Sequence, residues 1–206
     1  MEKNDGISNL RISLTTKDEL VTIFYQLLGQ GFRVNIQSGC SVKELLCNQL
    51  GIHEDYLNER IKTIFLNAKV VDEVDSAYVD DDSVLALSGA MPGLVGAILR
   101  SGGMYAGMRN QISHTINEAS THGADAQITL KLWNLVVREL GPTFLQNGIL
   151  IKGKDLQDLI TLHLEELEAG CQAIQLNDKS VEVADLRLAD WKNKMISLQV
   201  NSGKAA

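Results

Sequence analysis

The sequence predicts an α+β protein, with a strand-rich first half followed by a mainly helical second half that carries a possible β-hairpin. Three observations point there. Short runs rich in β-branched and aromatic residues, broken by glycines, gather before residue 90. Between them, Val42 to Leu50 places apolar residues at 42, 45, 46 and 50, the spacing of a helix. From residue 126 onward, apolar residues recur at three- and four-residue intervals over long stretches.

Taken in order, residues 1–19 form an N-terminal arm with one alternating patch, Leu10 to Leu14, read as a short edge strand or an ordered arm. Residues 20–28 and 32–36 read as two strands of a hairpin turned by Gly29 to Gly31. Ser41 caps the following helix with Glu44 three residues on, and Gly51 closes it. A short helical turn at 54–60 precedes strands at 61–66 and 84–87, which are flanked by acidic turns. The order strand, strand, helix, strand, strand makes 20–90 one domain. Residues 91–110 are a glycine-rich connection and 111–200 a mainly helical domain. The helical domain has helices expected at 126–140 and 155–168, a helical turn at 142–148, and an extended link at 149–151. A hairpin of 171–176 with 181–183 around a loop at 177–180 follows, then a helix at 184–198 and a frayed tail at 201–206. No internal repeat is evident in the sequence.

The composition limits the function classes. A chain of 206 residues that is 45% apolar fills a real core. Its net charge of −7, with Lys and Arg scattered, argues against nucleic acid as a partner. Cys40, Cys47 and Cys171 form no CxxC pair and read as free thiols, which with the polar N-terminus points to the cytoplasm. From Ser83 to Met108 the only charge is Arg100, yet the longest uncharged run, Ser83 to Leu99, falls short of the ~20 apolar residues of a spanning helix. It reads as a buried strand and a packed helix, not a membrane segment.

Within 32–87, three stretches stand out: Val42 to Leu46 in a helix, Ile64 to Val71 as a strand entering a turn, and Val79 to Leu87 as a turn entering a strand. Together they resemble the ubiquitin-like β-grasp fold and, within it, the sulfur-carrier proteins of molybdopterin and thiamine biosynthesis. Leu66-Asn67-Ala68 and Asp80-Asp81-Asp82 stand where those carriers have their strand-end and turn motifs. The resemblance implies a fold more than a function. A carrier ends in a free Gly-Gly whose carboxylate is activated, whereas Gly102-Gly103 is followed by 103 residues.

The segment from Ser88 to Arg109 is the most unusual. Gly89, Gly93, Ala97 and Ser101 recur every fourth position, and Gly103 and Gly107 repeat the spacing, so a helix there has a face almost without side chains. Such a face serves either as a protein-binding or self-association surface or as an internal packing contact. With Gly96, Arg100, Met91, Met104, Tyr105 and Met108 as adaptable contacts, these residues form the candidate interface. Six carboxylates between Asp72 and Asp82 read as solvated turns. His53, His114, His122 and His163 have no zinc spacing, and His163 with Glu166 is a helix-face pair. Cys40 lies where a helix N-terminus favours a thiolate, but no base is identified beside it. No pattern assigns a catalytic residue, a metal or a cofactor.

Three functions remain open. The leading one is a non-enzymatic assembly or adaptor protein that forms a homo-oligomer or a complex with a protein partner through the glycine-rich segment. The others are a sulfur-carrier-like or cofactor-maturation protein, and an enzyme whose site gathers residues such as Cys40, Arg100, Arg109, His114 and His122.

Overall fold

A computed structural model describes residues 10–109, 113, 114, 123–191 and 193–203. The chain begins with β1 (Leu10–Thr16), a 3-10 turn (Asp18–Phe24) and α1 (Tyr25–Gln30), then β2 (Phe32–Gln37) and β3 (Cys40–Ser41). Next come α2 (Val42–Glu44), continued by a π-helical turn at Leu45–Gln49, and α3 (Glu54–Glu59). Strands β4 (Thr63–Leu66), β5 (Lys69–Val70), β6 (Tyr78–Val79) and β7 (Val84–Ser88) lead into α4 (Gly93–Leu99) and a 3-10 turn (Ala106–Arg109). The remainder is β8 (Asp125–Trp133), α5 (Leu135–Asn147), β9 (Ile149–Lys152), α6 (Gly153–Leu162) and α7 (Leu164–Gly170). β10 (Cys171–Leu176), β11 (Lys179–Ser180), α8 (Val183–Leu188) and β12 (Met195–Ser202) complete it.

The chain divides into two compact units. Unit 2 is Arg33–Glu139, and unit 1 joins the residues up to Phe32 with those from Leu140 onward. In unit 2 the strand order is β2-β8-β7-β4-β5. β7 runs parallel to β8 and antiparallel to β4, which forms a hairpin with β5. Side-chain bonds join Arg33 to Thr129, Asn35 to Gln127 and Gln37 to Asp125, in opposite chain order, so β2 runs antiparallel to β8. The helix after β3 starts with a reciprocal cap, Ser41 Oγ accepting from Glu44 N–H and the Glu44 carboxylate from Ser41 N–H, and buries Val42, Leu45 and Leu46. β3 and β6 form a separate two-stranded ladder.

In unit 1 the order is β11-β10-β1-β12-β9. Again one parallel pair, β1 with β12, is flanked by antiparallel neighbours. The two arrays therefore have the same strand directions, position by position. They also share local geometry at a constant offset of 110 residues. The turn Asn67-Ala68 and the turn Asn177-Asp178 both have positive φ at both residues, the two-residue hairpin conformation. Asn67 N–H donates to the Val84 carbonyl while Val84 N–H donates to Asn67 Oδ1; Asn177 makes the same pair of bonds with Arg11. Val71 N–H bonds the Ile64 carbonyl as Val181 N–H bonds that of Ile174, and His53 and His163 both precede the second helix. The repeat escaped the sequence because only seven of nineteen residues coincide between 53–71 and 163–181. It differs in connection: the place held by β7 in unit 2 is held in unit 1 by β1, from the start of the chain.

Several expectations are corrected. Residues 20–28 are helical, not a strand, because Val21, Phe24, Leu27 and Leu28 are buried at helical spacing despite their β-favouring neighbours. Residues 126–133 are a strand, not a helix: Ile128, Leu130 and Leu132 alternate and are fully buried, and Asn134 with φ 55° ends the strand. The helix is Leu135–Asn147, so 135–140 is helical as expected and the helix continues with Pro142 inside it to Asn147. The helix at 184–198 stops at Leu188, and Ile196, Leu198 and Val200 alternate in β12, which takes residues 201 and 202 into the sheet. The 171–176 hairpin closes with two residues, not four. β1 is an inner strand with a neighbour on each side, not an edge. The fold class is mixed α and β throughout, and among the described residues five strands, β8 to β12, lie wholly or mostly within the stretch expected to be mainly helical. Residues 1–9 of the expected arm and 204–206 of the tail lie outside the described residues.

Candidate functional site

The glycine-rich segment is held against unit 2 by one buried arginine. Arg109 is the last residue of the 3-10 turn, and its side chain has no exposed surface. Its guanidinium grips the Asp72 carboxylate with two bonds, Nη2 to Oδ1 at 2.6 Å and Nη1 to Oδ2 at 3.0 Å. The same group donates to two carbonyls of the segment, Nε to Ile98 at 2.7 Å and Nη2 to Arg100 at 3.2 Å. It thereby satisfies the carbonyls that α4 leaves open at its C-terminal end. Burial pushes the Asp72 carboxyl upward, but the bonds from Arg109 and the Gly102 amide and the arginine's charge prevail, and its pKa lies below the ordinary carboxylate value.

The segment also bonds to the sheet directly. Ser101 N–H donates to the Lys62 carbonyl at 3.0 Å and Ser101 Oγ to the Val71 carbonyl at 2.7 Å, while Gly102 N–H reaches Asp72 Oδ1 at 3.0 Å. Arg100 and Ser101 line one side of a groove of about 250 Å³ whose floor is Leu57, Ile61 and Ile64. Further on, His114 N–H bonds the Val70 carbonyl and Ser113 bridges Val70 in parallel, which extends the sheet beyond β5. Gly102-Gly103 is thus tied to the body of the unit.

Held in this way, the segment turns large apolar side chains outward. Met104 is 92% exposed, Met108 72%, Val95 68%, Leu94 65% and Tyr105 42%. α4 and the 3-10 turn are in contact, so these side chains belong to adjoining stretches of one surface. The small residues do not form one bare face. Gly89 is buried against Leu135, Gly96 is pressed onto Met91, Gly103 meets the Arg100 carbonyl, and Ser101 is occupied by its sheet bonds. Gly93, with φ 78°, opens to solvent at the start of α4, Ala97 is half-buried, and Gly107 has open space. Leu94 and Val95 carry the exposed surface, and the fourfold spacing of small residues drew attention away from them.

Other candidates are dispersed. The groove that takes Arg100 has neither Cys40 nor His114 nor Arg109 in its lining, and His122 lies outside the described residues. Burial raises the thiol pKa of Cys40 and Cys47 and pushes that of Cys171 up to about 11, so Cys40 lacks the thiolate its position suggested. All three cysteines are free. The acidic turns tie as well as solvate: Asp82 pairs with Arg33 at 2.6 Å, Asp75 with Lys43 at 3.7 Å, and Asp81 accepts from Gln127 N–H. Exposed pairs such as Arg60 with Glu139 and His163 with Glu166 are surface ties. Among the described residues no group of His, Cys, Asp or Glu is arranged to hold a metal, and no helix is long and apolar enough to cross a membrane. No protein-family model matches the chain, and neither a curated protein nor a solved structure gives a significant match.

Proposed function

We propose that the protein is a non-enzymatic assembly or adaptor protein, built on a β-grasp array in unit 2, that associates through the outer face of its glycine-rich segment. The observation that carries this reading is the outward display of Leu94, Val95, Met104, Tyr105 and Met108 on a segment whose backbone is fixed by Arg109. A loose loop would pay an ordering cost on binding, and a fixed one does not. Methionine and tyrosine suit a contact surface because one adapts and the other supplies large area with a polar tip.

The β-grasp reading has its own support. A helix lies between β2 and β4, β4 and β5 form a hairpin, and the two central strands are parallel. The chain order is permuted: the central strand β8 comes after β7, through the glycine-rich segment, instead of before β2. That permutation is what makes the segment a structural crossover, available for display.

Sedimentation velocity of the protein purified from its own source tests the reading. Association with a second copy or with a protein partner is expected, and Leu94→Glu with Met108→Glu should abolish it while the unfolding midpoint stays within about 0.5 kcal/mol of the wild type. Association unchanged by both substitutions would overturn it.

A further inference from the structure

The 110-residue offset extends to the grooves. The groove of unit 2 uses Asn58, Ile61, Lys62, Ile64, Asp72 and Val74. Unit 1 has a groove of about 380 Å³ lined by Glu168, Cys171, Gln172, Ile174, Glu182 and Ala184, the same six positions 110 residues later. In unit 2 the chain's own segment forms one wall of the groove and narrows it: Ser101 bonds Lys62 and Val71, Gly102 bonds Asp72, and Ser113 and His114 run beside Val70. The covered positions are Thr63 and Val70, both buried, whereas their counterparts Ala173 and Ser180 are exposed. Polar or small residues at these places keep an uncovered edge soluble.

We infer that the groove of unit 1 is a peptide-binding site, taking a basic, glycine-containing turn of a partner protein in the manner in which unit 2 takes Arg100–Gly103. The turn follows from the segment seen in unit 2, where Gly103 N–H bonds the Arg100 carbonyl while Ser101 bonds the Lys62 and Val71 carbonyls beside the hairpin. Glycine is needed where the occupant's backbone reaches the carboxylate, as at Gly102 with φ 61°. The basic charge follows from the substitutions. Unit 2 has one base and one acid in these positions, Lys62 and Asp72; unit 1 has Gln172 and two acids, Glu168 and Glu182. Neither glutamate has an ion-pair partner among the described residues; the Glu182 carboxylate accepts from the Asp185 amide at the start of α8, and the arginine that Asp72 receives from its own chain is left for the partner to supply. The protonated thiol of Cys171 fits a non-covalent site.

The test adds a synthetic peptide of residues 98–109, which carries Gly102 and the Arg109 that bonds Asp72 in unit 2, to the intact, isotopically labelled protein and follows amide shifts. The expected result is saturable shifts at Gln172, Ala173, Ser180 and Glu182, with affinity falling about tenfold in Glu168→Lys with Glu182→Lys. Glu182 also caps α8, so Glu168→Lys alone, at an exposed position, is the second variant, and a matching unfolding midpoint verifies the fold of each. Three results would overturn the inference: no saturable shift, shifts indifferent to the charge reversal, or self-association of the protein alone that the double variant abolishes, which would assign the groove to a second copy. The Leu94 and Met108 variant leaves this groove intact, so failure of the association reading is separately visible.

Discussion

Unit 2 and unit 1 carry the same five-strand array, and they differ in what lies over its hairpin edge. In unit 2 the edge is covered by a segment of the chain, the positions beneath it are Thr63 and Val70, and a buried ion pair holds the cover in place. In unit 1 the corresponding positions are Ala173 and Ser180, the edge is open, and two glutamates stand beside it. The lesson is that cover and edge are matched at one position, Val70 under the cover and Ser180 where there is none, while Thr63 and Ala173 differ in burial and not in that sense.

The sharpest way to break this comparison is to remove the clasp. Arg109→Ala leaves the Asp72 carboxylate and the Ile98 and Arg100 carbonyls without their donor and should cost about 3 to 5 kcal/mol, read from urea unfolding. Arg109→Lys should recover only part of this, since one ammonium cannot serve both carboxylate oxygens and two carbonyls. The clasp lies within unit 2, so the loss should appear as cleavage by protease within 98–109.

A second experiment sharpens the likeness of the two units. Asn67→Ala and Asn177→Ala each remove an oxygen that accepts a strand amide and place alanine at positive φ, so each should cost about 1 kcal/mol and the two costs should agree. A large cost at one turn and none at the other would mean that the shared geometry is not shared energetics.

A third, smaller effect depends on pH. The folded pKa of Asp72 lies below its unfolded value, so its contribution is fully present above ~pH 4 and is lost as the pH falls through the folded value. Protease sensitivity at 98–109 should therefore rise below pH 4 before the rest of the chain yields, and Asp72→Asn should show it at neutral pH. The smallest effect is at Cys171, whose thiol pKa near 11 predicts slow alkylation at pH 8.

How much of this was legible in the sequence follows the physics of each element. The cap at Ser41 and Glu44 was readable because both partners are local. The helix of α2 and its π-helical turn, with strands β4 and β7, were readable because their apolar spacing has one period. Residues 126–133 were not, since Ile128 and Leu132 fit both a helix and a strand, and only the partners on either side, β2 and β7, decide between them. The attention given to the glycine-rich segment located the surface, but its small residues suggested a bare helix face that Gly96 and Ser101 do not form. The link from Asp72 to Arg109 spans 37 residues, and the repeat is carried by hydrogen-bond geometry more than by identity, so neither left a local pattern.

The central claim is that the glycine-rich segment is a fixed cover of unit 2 and not a loose connection, and amide hydrogen exchange of Ser101 and Gly102 tests it most directly. Both amides donate to the body of the unit, so they should exchange more than about a hundredfold slower than in an unstructured chain, with the protection lost in Arg109→Ala. Exchange of these two amides at the rate of a free peptide in the wild-type protein would contradict the account.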